Sequence, residues 1–184
     1  DYRVGGLVGQ VYYASLSNSF ATGSVIGDRY IGGLVGRGSY GSLSDSFATG
    51  NVTGNSNVGG LIGYRYSFSV TSSHWAKGTS GQEFSSGESD VDNYFGATLA
   101  ELQCPTSSDN TECLISNTLY ASWDSTVWDF GSSQELPGLI IDGVVYRDID
   151  GNGSLDSNLP PSVSLVLKQD GLVTSSIIIG GGDV

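Results

Sequence analysis

The sequence is poor in basic and sulfur-containing side chains. Its 184 residues hold seven Lys and Arg against nineteen Asp and Glu, with two Cys and no Met. The net charge of −12 repels polyanions, which argues against nucleic acid or an anionic membrane surface as a partner. No apolar run reaches the roughly 18 residues of a transmembrane helix, so we expect no membrane insertion. Without a Met or a signal-peptide pattern, we expect a mature product or a piece of a longer protein.

The sequence also has few of the residues that catalysis needs. Its single histidine, His74, has no Cys at a spacing typical of a catalytic pair, and neither G-x-S-x-G nor H-E-x-x-H occurs. We therefore expect a non-enzymatic protein in which His74 is structural. Carboxylates are plentiful, so a polysaccharide-degrading enzyme with paired acids stays open as an alternative.

Acidic residues are unevenly distributed along the chain. Residues 1–80 hold five basic and three acidic residues, whereas residues 81–184 hold two basic and sixteen acidic ones. This step predicts a change of architecture near residue 80.

The first eighty residues contain a repeat of 27 residues. V-G-G-L-V-G begins at Val4 and returns with small changes at Ile31 and Val58, and S-x-S-F-A-T-G begins at Ser17 and again at Ser44. The first two repeats are identical at 16 of 27 positions. The third repeat is degenerate, and we align the segment 73–78 with S-F-A-T-G after one inserted residue.

Frequent glycines exclude helices here and favour short β-strands that bury their apolar side by stacking. We expect an all-β fold in which three 27-residue coils form a parallel β-solenoid, with a β-sandwich of similar hairpins as the alternative. The paired glycines would permit positive φ or close backbone approach at the corners. Three columns of inward side chains are predicted: Leu7, Leu34 and Leu61; Leu16, Leu43 and Val70; Phe20, Phe47 and Trp75.

These motifs resemble the GLUG repeat of bacterial surface proteins, among them filamentous-haemagglutinin-like adhesins and autotransporter passenger regions. The resemblance covers residues 4–80 and implies secretion and a β-helical shaft, without shared catalytic residues. Four later segments resemble the part that often closes such arrays: 98–102, 123–124, 128–130 and 136–138.

Residues 81–138 are interpreted as a cap, because an exposed solenoid end would be an unpaired sheet edge. Residues 97–102 form the best helix candidate, with Thr98 as N-cap and Glu101 at the capping-box spacing. Cys104 and Cys113 flank a short polar loop and are predicted to form a disulfide.

Trp123 and Trp128 lie next to aspartates in this cap. One interpretation is a glycan contact, with indole stacking and carboxylate hydrogen bonds. The other is that both indoles belong to the core of the cap.

Residues 139–161 combine a hairpin and a calcium-loop linker. Asp142-Gly143 is the predicted two-residue turn. The pattern D-x-D-x-N-G-x-x-D then offers oxygen ligands for calcium, although Leu159 replaces the twelfth-position Glu of an EF-hand; an acidic turn without an ion is the alternative. Asp142 is a candidate for an additional ligand. The predicted calcium ligands are Asp148, Asp150, Asn152, Ser154 and Asp156.

Residues 162–184 are predicted to contain two strands, which resemble the start of a bacterial immunoglobulin-like domain. Two strands are not stable alone, so they either continue in a longer chain, pair with the body of this chain, or pair with a neighbouring molecule. The candidate assembly strand contains Ile177, Ile178 and Ile179.

Together these features predict a non-enzymatic extracellular or cell-surface module. It would be the shaft of an adhesin or the subunit of a filament assembled by β-strand pairing, so its partners would be itself, neighbouring modules, or host and matrix glycans. A carbohydrate-binding module using Trp123 and Trp128 is the second hypothesis, and an ice-binding solenoid is a weaker one.

Overall fold

A computed structural model describes residues 2–87, 96–103, 119–130 and 135–148, and the backbone of residues 163–169 and 172–179. Strands dominate these ranges, and the predicted all-β fold class is confirmed. The helices described, α1 (Lys77–Ser80) and α2 (Leu99–Leu102), have one turn each. None of the helices in this part of the chain has the length and apolar character needed to cross a bilayer.

The strands follow the repeats. The first repeat contains β1 (Tyr2–Gly5), β2 (Val8–Tyr12), β3 (Ser15–Ser17), β4 (Phe20–Ala21) and β5 (Val25–Ile26). The second contains β6 (Arg29–Gly32), β7 (Val35–Ser44), β8 (Phe47–Ala48) and β9 (Val52–Thr53). The third contains β10 (Ser56–Gly59), β11 (Ile62–Thr71) and β12 (His74–Ala76). The later strands are β13 (Gly96–Ala97), β14 (Trp128–Asp129), β15 (Gly138–Ile141), β16 (Val144–Tyr146), β17 (Val163–Gln169) and β18 (Leu172–Ile179).

Corresponding strands of successive repeats pair in parallel. A first sheet contains β1, β6 and β10; a second contains β2 and β3, both paired with β7, and β11; a third contains β4, β8, β12 and β13. Strands β5 and β9 also pair. Partners lie one repeat apart, as when Val4 and Val58 both pair with Ile31. Equivalent side chains of the three repeats therefore lie in columns.

The parallel hydrogen bonds continue past residue 80. The amide of Leu7 donates to the carbonyl of Leu34 at 3.0 Å, and the amide of Leu34 donates to that of Leu61 at 2.9 Å. The amide of Leu61 in turn donates to the carbonyl of Ser85 at 2.9 Å. Because β13 also pairs with β12, residues 84–87 and 96–97 form an incomplete fourth layer on the third repeat.

Two of the three predicted columns are confirmed. Leu34, Leu61 and Leu43 are completely buried in one core, with Leu16 beside them. The outer members of the columns, Leu7 and Val70, pack against the same core while partly exposed. The 27-residue spacing predicted the members of these columns correctly, because parallel strands in register place equivalent residues side by side.

The third column was predicted incorrectly, since it contains His74 rather than Trp75. His74 pairs with Phe47, while Trp75 pairs with Ala48 and is buried in the core. No residue is inserted, since both of these pairs are 27 residues apart, and a ladder of buried serines has the same spacing. The amide of Ser19 donates to Ser46 Oγ at 3.1 Å, and that of Ser46 donates to Ser73 Oγ at 3.2 Å.

The paired glycines serve close backbone approach and do not adopt positive φ. A Cβ on Gly32 would lie 2.1 Å from the carbonyl oxygen of Val35, and one on Gly33 would lie 2.2 Å from that of Gly60. The left-handed corners are instead formed by larger residues in three columns. These columns are Arg3, Tyr30 and Asn57; Tyr13, Tyr40 and Ser67; Asn18, Asp45 and Ser72.

Local predictions outside the repeats hold as well. Helix α2 begins at the predicted capping box, in which Thr98 Oγ1 accepts from the amide of Glu101 and the Glu101 carboxylate accepts from that of Thr98. Strands β15 and β16 form the predicted hairpin, with Asp142 and Gly143 at positive φ. Strand β14 extends it to three antiparallel strands, and β17 pairs antiparallel with β18.

Candidate functional site

An aromatic flank covers the outer face of the third sheet. The column of Phe20, Phe47 and His74 projects from that sheet, and residues 119–130 run along it. The ring centroids of Phe20 and Phe47 are 5.2 Å apart with nearly parallel planes. Trp128 contacts the rings of Phe20 and Phe47 at 6.3 and 5.9 Å, and Trp123 contacts those of Phe47 and His74 at 6.3 and 5.9 Å. The flank therefore spans all three repeats.

The polar tips of the flank aromatics have hydrogen-bond partners. Trp123 Nε1 donates to the carbonyl of Ser72 at 2.8 Å, and Trp128 Nε1 donates to Asn18 Oδ1 at 3.1 Å. The Tyr120 hydroxyl donates to the carbonyl of Leu102 at 2.8 Å, and burial raises its pKa far above the usual value, so that it remains a donor. These bonds fix the flank against both the first and the third repeat.

The two tryptophans proposed as a glycan contact lie in this interior. Trp123 is 6% exposed and Trp128 is 1% exposed. Since their faces pack on other aromatic rings, the structure places them in a core, as the second interpretation expected. The described parts of the segment predicted as a cap, residues 81–138, lie in two different places. Residues 119–130 lie along the side of the repeats, whereas residues 84–87 and 96–103 lie at the end.

His74 belongs to the same flank. Its ring is stacked on Trp123, and Nε2 lies 2.7 Å from the carbonyl oxygen of Leu119. The residue is 3% exposed and contacts the Tyr120 ring edge-on. These contacts assign His74 a role in joining the third repeat to the flank.

The predicted calcium loop is described only at its first residue. Asp148 is buried and follows the hairpin, where Arg147 forms ion pairs with Asp129 and Glu135. Asp142 lies at the tip of that hairpin. The three residues of β16, about 10 Å of extended chain, lie between the tip and the base. The role of Asp142 as an additional ligand stays a prediction, because residues 149–156 lie outside the described residues.

The other predicted site residues lie outside the described residues or have only their backbone described. Asp150, Asn152, Ser154 and Asp156 belong to the first group, as do Cys104 and Cys113. Ile177, Ile178 and Ile179 lie on β18, whose backbone pairs with β17 of the same chain. In the described ranges, no three His, Cys, Asp or Glu side chains are grouped so that they could hold a metal ion.

A second aromatic group, which the sequence analysis missed, is exposed on the second sheet. We call it the tyrosine surface; its members are Tyr12, Tyr13, Tyr40 and Tyr66, which are between 40% and 64% exposed. Tyr40 is central, with ring centroids 4.7 Å from Tyr13, 5.3 Å from Tyr66 and 6.1 Å from Tyr12. Partial burial, followed by its hydrogen bond with Tyr66, raises the pKa of the Tyr40 hydroxyl. A cluster of this kind is available for contact with a ligand.

The repeat contained a signal for this surface. Tyr13 and Tyr40 are one period apart, and Tyr12 and Tyr66 both pair with Ser39. The side chains of such a column leave the sheet on the same face. Applying the period to exposed residues as well as to apolar ones would therefore have grouped the four tyrosines.

Comparison with protein families agrees with the repeat. The family model of the GLUG motif matches residues 1–26 and 27–53. The chain thus contains GLUG repeats, and the match supports a secreted or surface-located, β-rich repeat protein. No curated protein and no solved structure matches the chain significantly.

Proposed function

We propose that the protein is a non-enzymatic extracellular module whose repeats are the coils of a parallel β-solenoid shaft. The observation that carries this proposal is the spacing of 27 residues, which is kept in the first, second and third sheets. Stacked repeats form a rigid rod in which each unit contacts its neighbours, and this suits a structural or adhesive role at a cell surface. The GLUG matches support the same location.

The two ends of the stack differ. The third repeat is followed by the incomplete layer of residues 84–87 and 96–97. At the other end, no strand among the described residues pairs with the outer edge of the first repeat. An unpaired parallel edge is a template for another strand. We therefore assign this edge to pairing with a further repeat or with another molecule, as an adhesin shaft or a filament would require.

The solenoid is tested by inserting chain at the junction between the second and third repeats. Duplicating residues 27–53 adds one complete coil, so we expect a cooperative unfolding transition at least as stable as that of the parent chain. Duplicating residues 27–40 adds half a coil and places apolar columns opposite polar ones, so we expect loss of cooperative unfolding. Equal behaviour of the two insertions in urea denaturation would contradict a stacked-coil architecture.

The structural and adhesive role is tested with the purified chain. Negative-stain electron microscopy should show fibres if the open edge assembles chains, or short isolated rods if the chain is one stretch of an adhesin shaft. Beads coated with the chain should be retained on extracellular-matrix or host-cell surfaces more than beads coated with albumin. Irregular aggregates together with no bead retention would argue against both forms of the proposal.

Calcium binding at residues 148–156 remains a proposal that rests on the sequence pattern. Calcium should raise the melting temperature of the parent chain, because a ligand that binds only the folded state stabilises it. Asp150→Ala should abolish this rise, whereas Asp170→Ala, outside the pattern, should retain it. An unchanged melting temperature of the parent chain with calcium would overturn the proposal.

Titration of free thiols in unfolded, unreduced protein tests the proposed Cys104–Cys113 disulfide.

A further inference from the structure

The packing of the repeats does not account for the tyrosine surface. Tyr13, Tyr40 and Ser67 occupy one corner column, with φ of 48°, 53° and 46°. Bulky residues are uncommon in this left-handed region, and Ser67 shows that the corner forms without an aromatic side chain. The rings at the other two positions, Tyr13 and Tyr40, are 64% and 40% exposed. The corner therefore does not need the aromatic rings of Tyr13 and Tyr40, which are accessible to a ligand.

The surroundings of the tyrosine surface are rich in hydroxyl groups and lack acidic side chains. Residues 10–17, 37–44 and 64–71, on and between the strands of the second sheet, contain no Asp or Glu, although the chain has nineteen, and their charged residues are Arg37 and Arg65. Arg37 lies over the ring of Tyr64, with its guanidinium carbon 5.6 Å from the centroid. Serines lie on the same strands, and the Ser42 hydroxyl donates to Ser15 Oγ at 2.8 Å.

We propose that the tyrosine surface binds a neutral glycan that lies across the repeats. The aliphatic C–H face of a pyranose ring packs on an aromatic face, while its hydroxyl groups bond to tyrosine and serine hydroxyls. Successive strands are about 4.8 Å apart, comparable to the length of one sugar unit in an extended chain. The proposal rests on the adhesive role proposed above and names the class of ligand for it.

A protein partner, including a second copy of this chain, fits this surface less well. The cores of protein interfaces combine aromatic rings, tyrosine included, with apolar side chains. Here the large aliphatic and Phe side chains of the second sheet, such as Leu16, Leu43 and Phe68, face the core of the repeats. The exposed rings all carry hydroxyl groups, which can form hydrogen bonds with the hydroxyl groups of a saccharide.

The test is an array of neutral oligosaccharides of glucose, xylose, mannose and galactose, followed by affinity electrophoresis in the corresponding polysaccharide. Tyr13→Ser and Tyr40→Ser copy the serine that this column already contains at position 67, so the corner should be retained. We expect each to weaken binding about tenfold, the effect of about 1.4 kcal/mol, and the double variant to abolish it. Tyr2→Ser, an exposed tyrosine on the first sheet, should bind like the parent chain.

The proposal is overturned if the parent chain binds no neutral oligosaccharide of the array. It is also overturned if the double variant still binds while its melting temperature is unchanged. Binding to heparin or polygalacturonate alone, lost with added salt, would show an acidic ligand instead. A dimer that disappears in the double variant would identify a second copy as the occupant. If beads adhere or fibres form without glycan binding, this inference fails while the proposed function stands. Glycan binding without adhesion or rods would contradict the proposed function alone.

Discussion

The repeats and the aromatic flank hold their shape in different ways. In the repeats, each position is determined by its equivalents one period away, and backbone hydrogen bonds link successive layers. The flank has no period, and residues 119–130 are held by aromatic contacts and by hydrogen bonds from side-chain tips. One chain therefore combines a periodic stack, which further repeats could lengthen, with a non-periodic flank that packs against all three repeats.

The close approach of layers gives the largest expected effect. Gly32→Ala should cost at least about 5 kcal/mol of unfolding free energy, because its Cβ would lie 2.1 to 2.7 Å from backbone atoms of its own and the next repeat. Gly23→Ala should change stability by about 0.5 kcal/mol or less, since nothing lies within 4 Å of its Cβ. Urea denaturation measures both. Similar losses for the two variants would show that layer spacing does not limit the repeats.

Phe47 lies where the two regions meet. Phe47→Ala should cost about 3 to 5 kcal/mol, because the ring is fully buried against Phe20, Trp123 and Trp128. The matched variant Phe84→Ala removes a ring that is 41% exposed and should cost much less. A loss below about 1 kcal/mol for Phe47→Ala would mean that the flank contributes little to the stability of the repeats.

The serine ladder sets the register of the third sheet. Ser46→Ala leaves the buried amide of Ser19 without its acceptor, so we expect a loss of about 1 to 3 kcal/mol in chemical denaturation. Ser24→Ala, on an exposed residue of the first repeat, should be nearly neutral. If both variants unfold at the same urea concentration as the parent chain, the register depends on the apolar columns instead.

The capping box of α2 gives the smallest effect and belongs to neither region. Thr98→Ala should cost about 1 kcal/mol, because the amide of Glu101 loses its acceptor. Glu101→Gln keeps a side chain that accepts from the amide of Thr98 and should cost less. A larger loss for Glu101→Gln in thermal denaturation would reverse this ranking and contradict the proposed role of Thr98.

Sequence reasoning succeeded where the signal was local or periodic. The hairpin at Asp142-Gly143 and the capping box at Thr98 depend on neighbouring residues alone, and both are found as predicted. It failed at His74 and Trp75, where similarity of side chains suggested an insertion. The flank accommodates a histidine at this position, because Trp123 stacks on its ring and the carbonyl of Leu119 lies within hydrogen-bond distance of Nε2.

The sequence by itself determined the period, the β character and the composition of the leucine columns, because stacking identical units leaves few ways to bury the same side chains. Only the tertiary structure decided which face of the third sheet is covered. The flank reaches that face from residues more than 40 positions away, and its contacts follow no pattern that repeats along the chain. The same long-range packing made Trp123 and Trp128 interior residues and left the tyrosines exposed.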